Sequence, residues 1–280
     1  MAIPILKNWQ NYFSEEPNEG LGSSYERIIL NNKLREIIKK YKCETLLEVP
    51  IFGFTGITGI NSIAVAKSGI SATLIDNDKQ RLEMVRSVWK NCGLKTNFYF
   101  QENFQKLNFE DNCFDISWNF SALWFVNSLE IFLKELTRVT KKVIWICVPN
   151  RFGFGYISQK YISGNELKKE LKEDNIVPKN IIKEMKNLNW KLVERNYIDC
   201  PPWPDIGMNK REFLKIFHLD FLLKLKREKN EEKLCILDYY TNKDSDFSNR
   251  MMKYYWFEKI APNFIKFFCA HHKYMIFTKT

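Results

Sequence analysis

Glycines and acidic side chains surround two apolar runs within residues 45–76. The first run, 45–49, contains Glu48, and the second, 72–75, is followed directly by Asp76. The loop after the first run holds three glycines, Gly53, Gly56 and Gly59. Glycines let backbone N–H groups approach a ligand closely, and a helix that begins after such a loop directs its N-terminus toward the same point. An acid that ends the second strand can accept hydrogen bonds from both hydroxyls of a ribose, so the spacing predicts a binding site for an adenine nucleoside cofactor.

The elements that must position this site alternate along the chain. Short apolar runs typical of strands are interleaved with helix-like segments, of which 79–91 and 129–139 have clear helical spacing. Another helix-like segment, 30–41, precedes the first strand. Strands and helices that alternate at this length predict an α/β fold, with a mostly parallel sheet covered on both faces.

The chain divides into four predicted regions. Residues 1–44 form an N-terminal helical lead-in, and residues 45–208 form the nucleoside-binding domain. Residues 209–269 are rich in Phe, Leu, Tyr and Lys without a strand pattern, which predicts a helical cap. Residues 270–280 then supply the last strand of the sheet.

Composition limits the class of protein. The chain has 280 residues, 45% of them hydrophobic, which is enough for a substantial core. No segment reaches the roughly 18 continuous apolar residues of a membrane span, and the first residues do not follow the signal-peptide pattern. The seven cysteines are scattered singly, which predicts a reduced, cytoplasmic protein without disulfides. The three histidines offer no metal-ligand spacing, so the sequence predicts no metal site.

The net charge of +10 lies mostly after residue 150. A solvated, lysine-rich surface is one interpretation of this excess. Attraction to an anionic partner, which could be an acidic substrate, a membrane surface or nucleic acid, is the other. The charge alone leaves both open.

Several motifs, in order, resemble class I S-adenosylmethionine-dependent methyltransferases of the broad group called type 11. Residues 47–49 with the glycine loop resemble the first motif of that family, and 73–76 the second. Residues 107–115, LNFEDNCFD, resemble its LPFxDxSFD signature closely, and 136–139 with 148–150 resemble its later helix and fifth strand. The resemblance implies a Rossmann-like, doubly wound, mostly parallel seven-stranded sheet with helices on both faces and a helical cap insertion before the last strand. It also implies S-adenosyl-L-methionine as the cofactor.

The resemblance assigns roles to residues at the ends of the first two strands. Glu48 matches the family acid that holds the loop and, through water, the cofactor's amino group. The three loop glycines would pass its methionine and ribose portions, and Asp76 would accept the ribose hydroxyls. Asn77 would flank the adenine. Ordinary turn, capping and surface roles are the competing interpretations of these residues.

Further roles follow for residues in the second half of the matched region. Asn103 and Phe104 would meet the edge and the face of the adenine, although Phe104 could equally be a core aromatic. Asn119 ends the predicted fourth strand, where ligands collect in such sheets, and would contact the cofactor or the substrate. Trp124 lies in the following loop and would line the substrate pocket or pack in the core.

Two departures from the family pattern affect these assignments. The loop between Glu48 and Gly59 is several residues longer than the family's compact form. Asn103 stands where the family has an acid, but an Asn side-chain oxygen can still accept from an adenine amino group.

Methyl transfer asks little of catalytic side chains, because the sulfonium is already activated and the enzyme mainly aligns the acceptor behind the methyl group. A base is needed only where the acceptor must lose a proton. His218, Tyr156 and Asp199 could serve, but no spacing selects one of them. The catalytic residues therefore stay unassigned.

A small-molecule acceptor is the favoured partner. The predicted fourth strand is not followed by the proline motif of base N-methylases, so nucleic acid ranks below it. A lipid or quinone-like acceptor at the membrane surface is an alternative, because the predicted cap has a basic amphipathic face. A methyltransferase-like binding protein without activity is another, and an NAD-dependent oxidoreductase ranks lower because the tight GxGxxG loop is missing. Oligomeric state is left undetermined.

Overall fold

The computed structural model describes residues 9–13, 18–53, 56–161, 171–203 and 234–279. Its sheet has seven strands. Their bounds are β1 Thr45–Glu48, β2 Ser71–Asp76, β3 Asn97–Phe100, β4 Phe114–Phe120, β5 Thr140–Pro149, β6 Trp190–Ile198 and β7 His272–Lys279.

Helices connect and cover these strands. Their bounds are α1 Gly20–Tyr41, α2 Ile63–Ala66, α3 Lys79–Asn91, α4 Leu129–Val139, α5 154–161, α6 Pro178–Asn187, α7 Ile236–Tyr240, α8 Phe247–Met252, α9 Tyr255–Ile260 and α10 Asn263–Cys269. Short 3₁₀ turns cover Trp9–Phe13, Leu123–Phe125 and Glu173–Ile176. Among these described helices, none combines the length and the apolar composition needed to span a bilayer.

The strand order is β3-β2-β1-β4-β5-β7-β6. The first five strands in this order pair in parallel, and β7 runs antiparallel to both β5 and β6. The carboxyl ends of β1, β2, β4 and β5 therefore lie at one edge, together with the first residue of β7. The predicted fold class is confirmed.

Alternating side chains along the central strands contribute to a hydrophobic core on each face of the sheet. On β4, Trp118 and Phe120 point to one face, where they join residues of α1, α2, α3, α7 and α8. On β5, Ile144 and Ile146 point to the other face, which α4 and α6 cover. Every residue of β4 is buried, because a parallel strand in the centre of such a sheet has no solvated face.

The sequence placed most elements within a few residues of their observed bounds. The helix predicted over 30–41 begins ten residues earlier, at Gly20, because α1 also buries its first half against the sheet. Four short helices, α7 to α10, lie in the described part of the predicted cap. Residues 209–233 lie outside the described residues, and the division into domains stays a prediction.

Candidate functional site

Glu48 ends β1 as a fully buried acid. Its side chain accepts a hydrogen bond from the Ser62 hydroxyl at 2.5 Å, and that hydroxyl accepts one from the Trp118 indole at 3.0 Å. Burial raises the pKa of the Glu48 carboxyl to about 7, against the opposing effects of Ser62 and Arg27. Glu48 thus holds the start of α2 to the end of β1, and its role toward the cofactor stays a prediction.

Gly53 lies where the loop after β1 crosses the end of β4. A Cβ atom at this position would stand 2.1 Å from the Phe120 carbonyl oxygen and 2.6 Å from that of Ser121. Any side chain would therefore collide with backbone that cannot move aside. Because Gly53 has no side chain, the loop can pack directly against the backbone at the end of β4.

Gly56 and Gly59 are also closely packed by the protein. A Cβ on Gly56 would lie 2.0 Å from the Glu19 carboxylate, which accepts a hydrogen bond from the Ile57 N–H at 2.7 Å. Gly59 has a φ of +69° and abuts Val85 of α3. All three glycines thus have a packing role, and their predicted contacts with a cofactor stay predictions.

Asp76 ends β2, and its carboxylate has several partners. It accepts hydrogen bonds from the backbone N–H groups of Asn77 at 2.6 Å and Asp78 at 3.1 Å. Arg81 approaches it side-on, with Nε 2.8 Å from Oδ2 and Nη2 in contact with Oδ1. Burial raises the pKa of the Asp76 carboxyl, and the Arg81 guanidinium opposes that rise. The helix cap is Asp78, whose side chain accepts from the Arg81 N–H, so Asp76 is not the cap.

Aromatic rings cover the Asp76–Arg81 pair. The Arg81 guanidinium lies 3.9 Å from the centre of the Phe52 ring and 5.2 Å from that of Trp9. Phe52 also contacts Phe125, which follows β4, with ring centres 5.3 Å apart. In this conformation the loop and Arg81 close the end of β2, and Asp76 is fully buried.

The residues expected at the adenine divide into exposed and buried positions. Asn77 is exposed and accepts from Arg81 at 3.2 Å, and Asn103 is exposed and accepts from the Gln105 N–H at 3.2 Å. Phe104 is buried and packs edge-on against Phe132 of α4. Phe104 is therefore a core residue here, and the adenine contacts stay predictions.

Asn119 lies next to the end of β4 with an unsatisfied amide. Its side chain is fully buried, yet among the described residues neither its oxygen nor its nitrogen has a hydrogen-bond partner. The Ser121 hydroxyl nearby in sequence is in the same state. Trp124 is buried and donates to the Ser121 carbonyl at 2.5 Å, which places it in the core beneath this edge. A buried amide without partners is costly, so this edge is suited to a polar ligand.

The structure locates two of the three bases considered from the sequence. Tyr156 and Asp199 are both buried, and Asp199 pairs with His271. His218 lies outside the described residues. None of these positions selects a base for the reaction.

Sequence reasoning missed residues that complete the site. Arg27 of α1 bonds Glu19 at 2.8 Å and Asn61 at 2.7 Å, and so joins the N-terminal helix to the glycine loop. Arg81 could have been noticed, because a cation in the first turn of a helix opposes the helix dipole and so calls for a nearby acid. Glu19 directly precedes α1 and Arg27 lies within it, in a segment without any motif, and only the fold brings them to the loop.

Comparison with family models gives a match over part of the chain. A sequence model of a family described as a methyltransferase domain matches residues 54–147. Comparison with curated proteins returns no match. The matched segment contains Gly56, Gly59, Asp76, Asn103 and Asn119.

Solved structures share the fold at low sequence identity. One is a putative sarcosine dimethylglycine methyltransferase from Galdieria sulphuraria, 13% identical, with a TM-score of 0.52, covering 89% of this chain and 85% of that one. A putative methyltransferase from Bacillus halodurans is 16% identical, with a TM-score of 0.51, and covers 89% of this chain and 98% of its own. The MccD protein is 16% identical, with a TM-score of 0.51, and the match covers 89% of this chain and 96% of that one. At these identities the likeness concerns the fold alone.

Proposed function

Residues 54–147 match a methyltransferase domain, a family whose cofactor is S-adenosyl-L-methionine, and the seven-stranded sheet that contains them has the class I strand order; from this premise we propose that the protein transfers a methyl group to a small-molecule acceptor. The cofactor would lie at the carboxyl edge of β1, β2 and β4. The bound cofactor supplies a methyl group on a positively charged sulfur, so the transfer is an in-line displacement by the acceptor.

The observation that carries the proposal is the unsatisfied amide of Asn119. It supplies both a donor and an acceptor, fully buried, near the end of β4. Parallel sheets of this kind bind ligands at that edge. The cofactor's polar groups suit such an amide, so the residues present fit the cofactor.

Asp76 fits the ribose after one exchange of partners. Its Oδ2 accepts a single hydrogen bond, from Arg81, whereas Oδ1 accepts from two backbone N–H groups as well as from Arg81. Ribose hydroxyls would replace the guanidinium while the backbone bonds remain. Phe52 must move with Arg81, because the two are in contact.

The protein's own contribution to the reaction is alignment and the exclusion of water. Glu48 and Ser62 fix the loop after β1, beside the edge where the cofactor would lie. With an acceptor held behind the methyl group, this arrangement favours displacement without a dedicated nucleophile in the protein.

Isothermal titration with S-adenosylmethionine, with its demethylated product and with NAD tests the proposal. We expect both sulfur compounds to bind and NAD not to bind. Asp76→Ala should weaken their binding by about 1–3 kcal/mol, the range for hydrogen bonds to a charged group. Asn119→Ala should weaken it as well, whereas Asp174→Asn, an exposed control, should not.

The outcomes separate the competing functions. Failure of both sulfur compounds to bind would contradict the proposal. Tight binding without turnover on any acceptor would favour the methyltransferase-like binding protein. Unchanged affinity in Asp76→Ala alone would refute the ribose assignment.

A second candidate acceptor is apolar, because an exposed aromatic belt follows β5. We define this belt as the exposed apolar side chains of 152–161 and 264–268, namely Phe152, Phe154, Ile157, Tyr161, Phe264 and Phe268. Phe152 stacks on Phe267 at 5.0 Å, and the Lys273 ammonium lies 5.1 Å from the Phe152 ring. Exposed aromatic groups beside lysines suit a lipid or quinone-like acceptor at an anionic membrane.

Sedimentation with vesicles tests this second candidate. We expect binding to phosphatidylglycerol vesicles, weaker binding to phosphatidylcholine vesicles, and loss of binding in Phe154→Asp. Ile131→Asp changes an exposed apolar residue on α4 and is the matched control. Equal sedimentation of both variants, or none with wild type, would leave the soluble small-molecule acceptor as the function.

A further inference from the structure

A cavity lies on the flank of the sheet, between α1 and the paired strands β6 and β7. Its volume is about 300 Å³, which is at the lower end of the range for ligand pockets. The helices α8, α9 and α10 complete its wall. None of the residues assigned to the cofactor lines this cavity, so it is separate from the site at the carboxyl edge of β1, β2 and β4.

Much of the cavity wall is apolar. It contains three aromatic side chains and three other apolar side chains, namely Tyr197, Tyr255, Tyr274, Ile29, Ile198 and Met252. Ile29, Ile198 and Tyr274 are at most 5% exposed, so they form a fixed part of the wall. Walls of this kind stabilise a ligand that carries an apolar group of its own.

A buried acid belongs to the same wall. Glu258 of α9 is 6% exposed, and its Oε2 accepts hydrogen bonds from the Tyr25 hydroxyl at 3.0 Å and from the Cys200 N–H at 2.9 Å. Among the described residues nothing donates to its Oε1, which is therefore the oxygen left to meet a ligand. Burial raises the pKa of the Glu258 carboxyl to about 7, and the nearby Asp199 adds to this rise. A positively charged donor in the cavity would stabilise the ionised carboxylate.

Two lysines give the cavity a second kind of charged group. Lys259 of α9 is exposed, and Lys266 of α10 is half-buried. Neither has an ion-pair partner within 4.0 Å in the parts of the chain that the structure describes. Lys33, which also lines the cavity, is already paired with Glu36 at 3.0 Å and with Glu194 at 2.8 Å. Lys259 and Lys266 can therefore pair with an acidic group of a ligand.

From this arrangement we propose that the cavity binds an amino acid with an apolar side chain. The ammonium group donates to Glu258 Oε1, the carboxylate pairs with Lys259 and Lys266, and the side chain packs against the apolar wall. A carboxylate alone would be repelled by Glu258, and an amine alone would be repelled by the two lysines, whereas a molecule with both groups satisfies both. The proposal does not rest on the methyl-transfer function.

Isothermal titration of the full chain with L-phenylalanine and with L-leucine is the first measurement. We expect saturable binding of at least one of them, at one site per chain. Hydrocinnamate and isocaproate are the analogues that lack the ammonium group, and phenethylamine and isoamylamine are those that lack the carboxylate. Each analogue should bind about tenfold or more weakly than the amino acid that it matches, because it loses a hydrogen bond to a charged group.

Substitutions assign each charge of the ligand to its partner. Glu258→Gln keeps the side-chain volume and can still accept from Tyr25 and Cys200. It should weaken binding of the amino acid about tenfold or more and should not weaken binding of the analogue without an ammonium group. The combined substitution of Lys259→Met and Lys266→Met should weaken binding of the amino acid and should not weaken that of the amine.

Lys253→Met is the matched control, because Lys253 is an exposed lysine at the end of α8 that does not line the cavity. It should bind the amino acid as wild type does. Thermal unfolding checks that each variant is folded. A titration in the presence of the demethylated product of S-adenosylmethionine should give the same affinity for the amino acid as a titration without it.

Four results would overturn the proposal. The first is the absence of saturable binding of both amino acids. The second is an analogue that binds as tightly as its amino acid, which would make the cavity a site for an anion or an amine alone. The third is unchanged affinity for the amino acid in folded Glu258→Gln, or an equal loss for the amino acid and the analogue without an ammonium group. The fourth is competition with the demethylated product, which would place the amino acid in the cofactor site.

Discussion

Buried acids at two places on the same edge of the sheet have different partners. At the end of β2, Asp76 is neutralised by Arg81, and rings cover the pair. At the start of β7, the ion-pair partners of Asp199 within the described residues are His271 and His272. The first acid already has a cation of the protein, so a ligand there must displace it. The second acid is paired with histidines, whose charge, unlike that of arginine, depends on pH.

The largest effect should come from removing the cation at the β2 end. Arg81→Met leaves Asp76 buried without its partner, which should lower the free energy of unfolding by about 3–5 kcal/mol. Chemical denaturation measures this change in the free energy of unfolding. Arg86→Met is the control on the same helix, because Arg86 and Glu83 are both exposed and 3.7 Å apart. If the two variants unfold alike, Asp76 does not depend on its guanidinium and the contrast between the two places is lost.

A pH dependence should follow from Glu48, whose pKa is raised by burial to about 7. The protonated form is favoured in the folded state, so its contribution to stability is complete below the unfolded pKa of about 4.3 and is lost as pH rises toward 7. Over that window wild type should lose about 3 kcal/mol relative to Glu48→Gln. Denaturation at several pH values measures the difference. Exposed Glu44→Gln should follow wild type, and parallel curves for all three proteins would contradict the assignment.

The sequence predicted the fold well, for a physical reason. Helix and strand periodicity and the motif order depend on neighbouring residues, and α3 and α4 have their predicted bounds. Asp76 was found because it ends an apolar run. The ion pair between Asp76 and Arg81 was not predicted. The motif assigned Asp76 to a ribose, and the unfavourable position of a cation in the first turn of α3 was not considered.

The group of buried side chains at the start of β7 could not be found from spacing. Glu26, Asp199 and His272 are separated by most of the chain, and only the antiparallel entry of β7 between β5 and β6 brings them together. The expectation of no metal site rested on histidine spacing alone.

A smaller effect is expected at the loop that closes the β2 end. Gly53→Ala places a methyl group against the Phe120 carbonyl and should cost about 1–3 kcal/mol of stability, the range for overpacking. Gly20→Ala is a useful comparison, because no atom lies within 4 Å of its Cβ position and only its φ of +72° is unfavourable. Thermal unfolding should rank Gly53→Ala below Gly20→Ala in stability. The reverse order would show that the loop can move away from β4 at little cost.

The smallest effect is expected at Asn103. Asn103→Ala should weaken S-adenosylmethionine binding by about 1 kcal/mol if its oxygen accepts from the adenine, and leave stability unchanged because the residue is exposed. Titration calorimetry measures the affinity, and Asn187→Ala is an exposed control on α6. An affinity equal to that of wild type would restrict the nucleoside contacts to the buried residues.

The reversed direction of β7 has a practical consequence for experiments. Its first residue, His272, stands at the ligand-binding edge, whereas Lys279 pairs with Trp190, which begins β6 at the opposite edge. A fluorophore or a surface tether carried after residue 279 would therefore be anchored on the far side of the sheet from the candidate cofactor site. Immobilised protein prepared in this way should keep its crevice open to solution, which suits it to screening of unknown acceptors by surface binding.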